Sequence, residues 1–563
     1  MTDQSFSDPS APAPGRQFPL PAPGHRDWYA WEAVRALPRL ILMVDKNPLS
    51  RTYGCFDRSF WHYRTMDFPC GMHQEFVLPL ALAYKLDMPG NVYYGQERLR
   101  ELAEAGIDYA RKSAYPNGSC DDYFPYERAL GALTFSLYAM AEAAIELGLN
   151  DDRHLEFLSR RGRWLLGHNE TGQLANHQAF AALALYNVYI LTGDQDFREG
   201  SDSFKDLALS WQKDEGWFQE YEGADPGYHT CSISFFAKLW QKSRDEALLE
   251  PLERAIKFAH NFMHPDGSYG GEYGSRNTYH FYPHGFEVMA NRVPEAGQIV
   301  ETYLQRALPE RRRYYNDDDR MAAHYVYDWM QAWRDYTPDR QPTISLPQST
   351  ETHWFPEAQI LVVKTPHYHA VAAANKGGVF KAFDAQGAIA SDTGLTAERE
   401  DGTVVVTHIV DDNNKVQVGE DRRSLEVRGV FQKRSQPLPT PAKQIVFRVL
   451  LLTIGRFNAN LVRSLLQKIL ITGKNRQPIA FRRRLAFQDD GIEIIDEIKV
   501  QESGVKFQRV AAGSDQTSIY VANSNVYQDS VLTPWQWFPD AVKQLNAEGK
   551  ARIKRRVAAR SHD

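Results

Sequence analysis

Residues 173–194 read QLANHQAFAALALYNVYILTGD. The polar pair Asn176-His177 opens a segment whose next turns are fully apolar, and Gly193 follows its last periodic residue, the start and stop signals of a helix. Two further polar clusters stand in the same relation to apolar segments. One is GADPGYHTCSISFF, residues 223–236, with Tyr228 and His229. The other is HPDGSYGGEYGSRNTYHFYPHGFE, residues 264–287, with Glu272, Arg276 and Asn277. Each opens on a turn signal and runs into, or lies close before, an apolar segment, so side chains from successive helix ends can converge on one pocket.

Outward from these clusters the chain stays helical. Segments such as 95–114, 127–149, 152–169, 246–263 and 318–336 carry apolar residues at i, i+3/i+4 and i+7. Helices of roughly 12–20 residues, with loops alternately short and long and no fixed sequence repeat, predict an incomplete α/α toroid over 26–340 rather than a repeat solenoid. Pro and Ser then mark a linker, and alternating β-branched segments predict an antiparallel β-sandwich over 350–535. Residues 1–25 read as a disordered tail and 536–563 as a basic C-terminal helix or tail. One insert, about 445–484, interrupts the strand pattern. No Asp or Glu occurs between Val427 and Gln488, which suits peripheral contact with an anionic membrane, steering of a polyanion, or a covering strand and helix.

Bulk composition narrows the function. With 563 residues the chain exceeds a single ordinary core. Its net charge of -6 gives no reason to expect nucleic acid as a partner. The aromatic content, 12%, supplies flat apolar faces of the kind sugar-binding clefts use. Four scattered cysteines, Cys55, Cys70, Cys120 and Cys231, form neither a disulfide framework nor a CxxC zinc motif. The N-terminal stretch is polar and Pro-rich, without the apolar core of a signal peptide, so the expected location is cytoplasmic.

The clusters carry acid–base chemistry. An amide beside an imidazole at a helix N-terminus, Asn176-His177, can hydrogen-bond a carboxylate with help from the helix dipole. Tyr228 follows a tight Asp225-Pro226-Gly227 turn, and a cation such as His229 or Arg276 makes its phenolate more accessible. Arg276 is suited to bidentate carboxylate recognition. Arg58, His62, Tyr63, Arg64, His73, Glu75, Asp122, Tyr123 and Arg128 lie near helix starts. Of these, Arg58, Tyr63, His73, Asp122, Tyr123 and Arg128 join Glu272 and Asn277 as candidate substrate contacts. Together the parts fit β-elimination on a uronic acid: donors neutralise the carboxylate, a base takes the C5 proton, and an acid protonates O4. That chemistry requires no organic cofactor or metal.

On Asn176-His177 and the Gly227-Tyr228 turn, the sequence resembles the heparinase II/III-like polysaccharide lyases, including their alginate and oligo-alginate branches. The resemblance implies a toroid followed by a β-sandwich, an acidic poly- or oligosaccharide as partner, Asn176 and His177 at the uronate carboxylate, and Tyr228 as acid/base. Many members also carry a GHxHxD-like run in the β domain. Here the nearest residues are His367, His369 and His408 with Asp392 and Asp411, leaving a divalent metal in the sandwich open. Two alternatives stand beside the lyase. One is an α/α-toroid glycoside hydrolase using two of Asp121, Asp122, Glu220, Glu222, Asp225 and Glu272. The other is a non-catalytic carbohydrate-binding or exopolysaccharide-assembly protein.

Overall fold

The computed structural model describes residues 19–169, 173–309, 320–434, 438, 440–458, 475–515, 528 and 532–560. Among these, an inner ring is built from Val77–Lys85, Leu130–Leu147, Ala175–Thr192, Pro226–Ser243, His284–Met289 and Ala322–Arg334. Each packs on the next, and Ala322–Arg334 returns to Val77–Lys85. An outer layer of Asp27–Met43, Glu97–Ser113, Asp152–Leu166, Gln195–Ser210, Leu249–Ala259 and Pro294–Thr302 packs around it. His284–Met289 is only six residues long, which leaves the inner ring short on that side.

Sequence decides which layer a helix joins. Leu130–Leu147 is apolar on nearly every side and buries all but three of its residues. It is long and apolar enough to cross a membrane, but most of it is buried within the toroid. Asp152–Leu166, by contrast, buries one stripe through His154, Phe157, Leu158, Arg161 and Leu165 and leaves its other face wet.

Within the toroid a short hairpin pairs β1 (Gln219–Glu220) with β2 (Gly223–Ala224), and after the toroid come two antiparallel sheets. The first, in order, pairs β3 (Glu351–Phe355), β4 (Ile360–Lys364), β5 (His369–Ala373), β6 (Val379–Asp384) and β7 (Gly387–Asp392). The second contains β8 (Leu395–Arg399), β9 (Val404–Val406), β10 (Lys415–Val418), β11 (Ser424–Lys433), β12 (Arg476–Gln488), β13 (Gly491–Val500), β14 (Phe507–Ala512), β15 (Gln536–Trp537) and β16 (Lys550–Ala558). Its order is β15-β14-β8-β9-β11-β12-β13-β16, with β10 on β11. Strand β4 explains how the parts join. Ile360 and Val362 enter the core shared with the helices, while Leu361 and Val363 enter the core between the sheets. Successive strand residues face opposite ways, so a continuous apolar run is what a sheet buried on both faces needs. Each such side chain contributes about 1.5–3 kcal/mol.

Two expectations are corrected. The C-terminal stretch is a helix only over Pro539–Glu548; Gly549 stops it at φ +68°, and Lys550–Ala558 pairs with β13 as an edge strand. The expected insert is likewise divided. Pro441–Leu450 is helical, residues 459–474 lie outside the described residues, and from Arg476 onward the chain is β12. Within β12, Arg483 turns inward, where it and the partly buried Arg555 each bridge Asp392 and Asp496 at 2.5–2.7 Å, so the four charges cancel. Of the expected tail, 1–18 lie outside the described residues, and Gly24 N donates to Leu304 O.

Candidate active site

The inner helices bring their N-terminal ends to one end of the ring. Asn176, Tyr228 and His324 sit in the first turns of three of them, and Glu75 and His280 just precede two others. Helix N-termini carry partial positive charge, so this end of the toroid favours an anion. At Asp225-Pro226-Gly227, Asp225 caps the helix, its Oδ1 accepting from Tyr228 N at 3.0 Å. A Cβ at Gly227 would lie 2.0 Å from Thr278 Oγ1, so only glycine lets this turn meet the 264–287 loop.

That contact brings Arg276 to Tyr228. Arg276 N donates to Asp225 Oδ2 at 2.8 Å. Its guanidinium carbon lies 3.8 Å from the Tyr228 ring centre and 4.8 Å from that of Tyr221. Nη1 is 3.5 Å from Glu220 Oε2. Burial works against the Arg276 charge, yet Tyr228, Tyr221 and Glu220 around it raise its pKa overall. Glu220 in turn holds Asn176. The Nδ2 atom lies 2.8 and 2.7 Å from the two carboxylate oxygens, and the backbone N donates at 2.9 Å. Burial raises the Glu220 carboxyl pKa, opposed by Arg276 and Asn176. Asn176 thus has its donors engaged within the protein, whereas the expected role directed them at a substrate carboxylate.

Histidines complete the wall. His177 is half-buried beside Gly131 and meets the edge of Phe135 at 5.7 Å. His280 lies edge-on to Tyr228 with centroids 5.2 Å apart and hydrogen-bonds the Tyr325 hydroxyl through Nδ1. Burial, then the Arg276 charge, pushes its pKa down to about 3, so it is a neutral imidazole at neutral pH. His324 Nδ1 is 2.8 Å from Glu75 Oε2, and its ring stacks on Phe135 at 4.6 Å. Sequence reading passed over His280, His324, Tyr221 and Tyr325 as site residues. The only available signal for His280 was a polar residue inside the aromatic run NTYHFYPH.

The remaining candidates are placed differently. His229 points away from Tyr228: its Nε2 is 2.8 Å from Ala255 O and its ring packs between Phe218 and Phe258. Neighbours in a helix diverge by about 100°, so both cannot face one pocket. Arg58 and Tyr63 pair with each other, Nη2 to Oη at 2.9 Å. His73 is buried against Phe76. Asp122 and Tyr123 both bind Arg320, at 2.8 and 2.7 Å. Arg128 has a left-handed backbone, φ +48°, and its guanidinium lies over Tyr115. Glu272 is buried against Lys381 Nζ at 2.5 Å and the Tyr279 hydroxyl. Asn277 accepts from Lys376 Nζ at 2.5 Å, and Lys376 also donates to Gly274 O at 2.7 Å and to Glu272 O. Lys376 and Lys381 come from the β domain, so that domain fixes the loop carrying Arg276.

The carboxylates that hydrolysis would need are held by other groups. Asp225 accepts from Tyr228 N, Arg276 N and Thr278 Oγ1. Asp121 accepts from the Tyr115 hydroxyl and from Tyr126 and Arg128 N. In the β domain His369 and His408 are buried, Asp392 meets two arginines, and Asp411 binds Arg476 at 2.7 Å. Among the described residues no three His, Cys, Asp or Glu side chains form a metal-binding group.

No family model matches the sequence, and no curated protein sequence matches it. Solved structures do. The chondroitin AC lyase of Streptomyces coelicolor A3, in complex with chondroitin sulphate, superposes with a TM-score of 0.51 at 11% identity, over 87% of this chain and 68% of that one. A heparinase III matches with a TM-score of 0.40 at 11% identity, over 86% and 71%. The heparan sulfate lyase HepC of Pedobacter heparinus matches with a TM-score of 0.35 at 14% identity, over 78% and 63%. The first likeness shows the fold alone: this chain shares the architecture of that structure, an α/α toroid followed by antiparallel sheets.

Proposed function

We propose that the protein is a lyase that cleaves a uronic-acid-containing poly- or oligosaccharide by β-elimination at the Tyr228 end of the toroid. The observation that carries this reading is the Arg276 guanidinium 3.8 Å over the Tyr228 ring, at converging helix N-termini. The cation provides the charge that a phenolate would face, and the helix ends suit a carboxylate.

In the proposed step Arg276 and His177 hydrogen-bond the uronate carboxylate, spreading the charge that develops when C5 loses its proton. Asn176, held by Glu220, positions His177 at the helix start. The Tyr228 phenolate takes the C5 proton, the C4=C5 double bond forms, and the C4–O4 bond breaks. Tyr228 then returns its proton to O4 of the leaving sugar, so the enzyme ends in the state in which it began. Carboxylates engaged by internal donors support elimination over hydrolysis, which needs one acid and one base carboxylate free to act.

The test is ultraviolet absorbance of the unsaturated uronate over alginate, glycosaminoglycan and polyglucuronate polymers and their oligomers. A rise supports the lyase. New reducing ends without absorbance would transfer the site to hydrolysis, and binding with neither signal would leave a carbohydrate-binding protein.

A further inference from the structure

Between β11 and β12 the chain leaves the sandwich and returns to the toroid as the helix Pro441–Leu450, continued by the turn Leu451–Gly455. One face stands on toroid loops. Phe447 meets Phe124 edge-on at 5.0 Å, Arg448 pairs with Asp67 and lies over Phe68, Arg456 lies over Tyr126, and Leu451 is buried. Those loops adjoin Asp122, Tyr123 and Arg128, so the helix stands close to the site end of the ring.

The opposite face is apolar and bare. Ile445, Val446, Val449 and Leu452 are 65, 69, 54 and 47% exposed. Their spacing, i, i+1, i+4 and i+7, puts them on one stripe. A soluble helix resting on its parent domain ordinarily turns polar residues outward; this one is apolar on both sides. The exposed Lys443 and Arg456 flank the stripe, and no acidic residue occurs from Val427 to Gln488, although the whole chain has a net charge of -6. Aliphatic residues on one face and cations at its margin, with anions excluded, match the boundary of an anionic bilayer.

We propose that this helix docks the protein on an anionic lipid surface, with the Ile445–Leu452 stripe in the headgroup–acyl boundary and the exposed Lys443 and Arg456 on lipid phosphates. The inference rests on the helix alone and is independent of the elimination chemistry.

The experiment is flotation of the full chain with phosphatidylcholine vesicles and with vesicles containing phosphatidylglycerol. The wild type floats with the anionic vesicles, less so at raised salt. The variant Ile445→Ser/Val449→Ser/Leu452→Ser binds at least about tenfold more weakly, with its far-ultraviolet circular dichroism and elution volume unchanged. Should that variant fail to fold, Val449→Trp keeps the test: brominated lipid quenches its fluorescence if the stripe enters the bilayer. Wild-type protein that ignores anionic vesicles, or a serine variant that binds as wild type, overturns the proposal. A wild-type dimer that ignores vesicles and becomes monomeric in the variant overturns it in favour of a second copy on the same face. A monomer that ignores vesicles overturns it outright.

Discussion

The Arg276 guanidinium caps the ring of Tyr228 at 3.8 Å and reaches Glu220 at 3.5 Å, so one buried cation links the proposed acid/base to the carboxylate that holds Asn176. Arg276→Lys keeps the charge but loses the planar fork that covers the ring. We expect kcat to fall about 10²–10³-fold, the cost of removing one charge-stabilising donor. Steady-state absorbance kinetics on the active substrate check this, and a lysine variant with wild-type kcat would remove Arg276 from the chemistry.

Glu220 is fully buried between Asn176 and Arg276. Glu220→Ala leaves a buried guanidinium without its counterion and should cost about 3–5 kcal/mol of stability. Glu220→Gln keeps shape and one acceptor and should cost roughly 1–3 kcal/mol. Urea denaturation of the three proteins gives the order; equal stability for alanine and glutamine would show that the charge is not what holds the site.

Lys376 ties the β domain to Glu272, Gly274 and Asn277, the residues flanking Arg276. Lys376→Met removes all three bonds without touching the reacting atoms. We expect kcat to drop about 10–100-fold, as for a small misplacement of a catalytic group, with KM changing much less. A variant that raised KM alone would make Lys376 a binding residue rather than a positioning one.

Buried histidines set the acid limit. Burial holds His229 down to about 4 and His280 down to about 3, against about 6.5 in the unfolded chain. Below about 6.5 the unfolded chain takes up protons that the folded chain refuses. Stability therefore falls as pH drops through this window and is unaffected by these groups above it. For His229 the loss reaches about 3 kcal/mol at pH near 4. Denaturation midpoints measured from neutral to acid pH should fall, and His229→Gln, which keeps a donor for Ala255 O, should flatten the slope.

Much of this was legible because local signals agreed. Helical periodicity with turn residues between the segments predicted the toroid, whereas the tight turn Asp225-Pro226-Gly227, expected to expose Tyr228, leaves it buried. What was hidden was long-range. His229 looks equivalent to Tyr228 in sequence, and only the roll of the helix separates them. Glu220 reads as a loop carboxylate until Asn176, 44 positions away, is seen to bind it. Strand β12 was masked by its three successive arginines, of which one faces inward to a buried ion cluster and two face out. Strand β16 was masked by its basic composition, although Gly549 marked where the preceding helix had to stop. Lys376 and Lys381 could not be assigned to the site from sequence, because the β domain reaches it only through tertiary packing.

The most direct measurement is turnover beside binding for Tyr228→Phe on the substrate that gives the unsaturated-uronate band. The variant loses one hydroxyl and keeps the ring beneath Arg276. In Tyr228→Phe the absorbance increase should vanish while binding by calorimetry stays close to wild type. Full activity in Tyr228→Phe would contradict this role of Tyr228 and pass the proton transfers to another group.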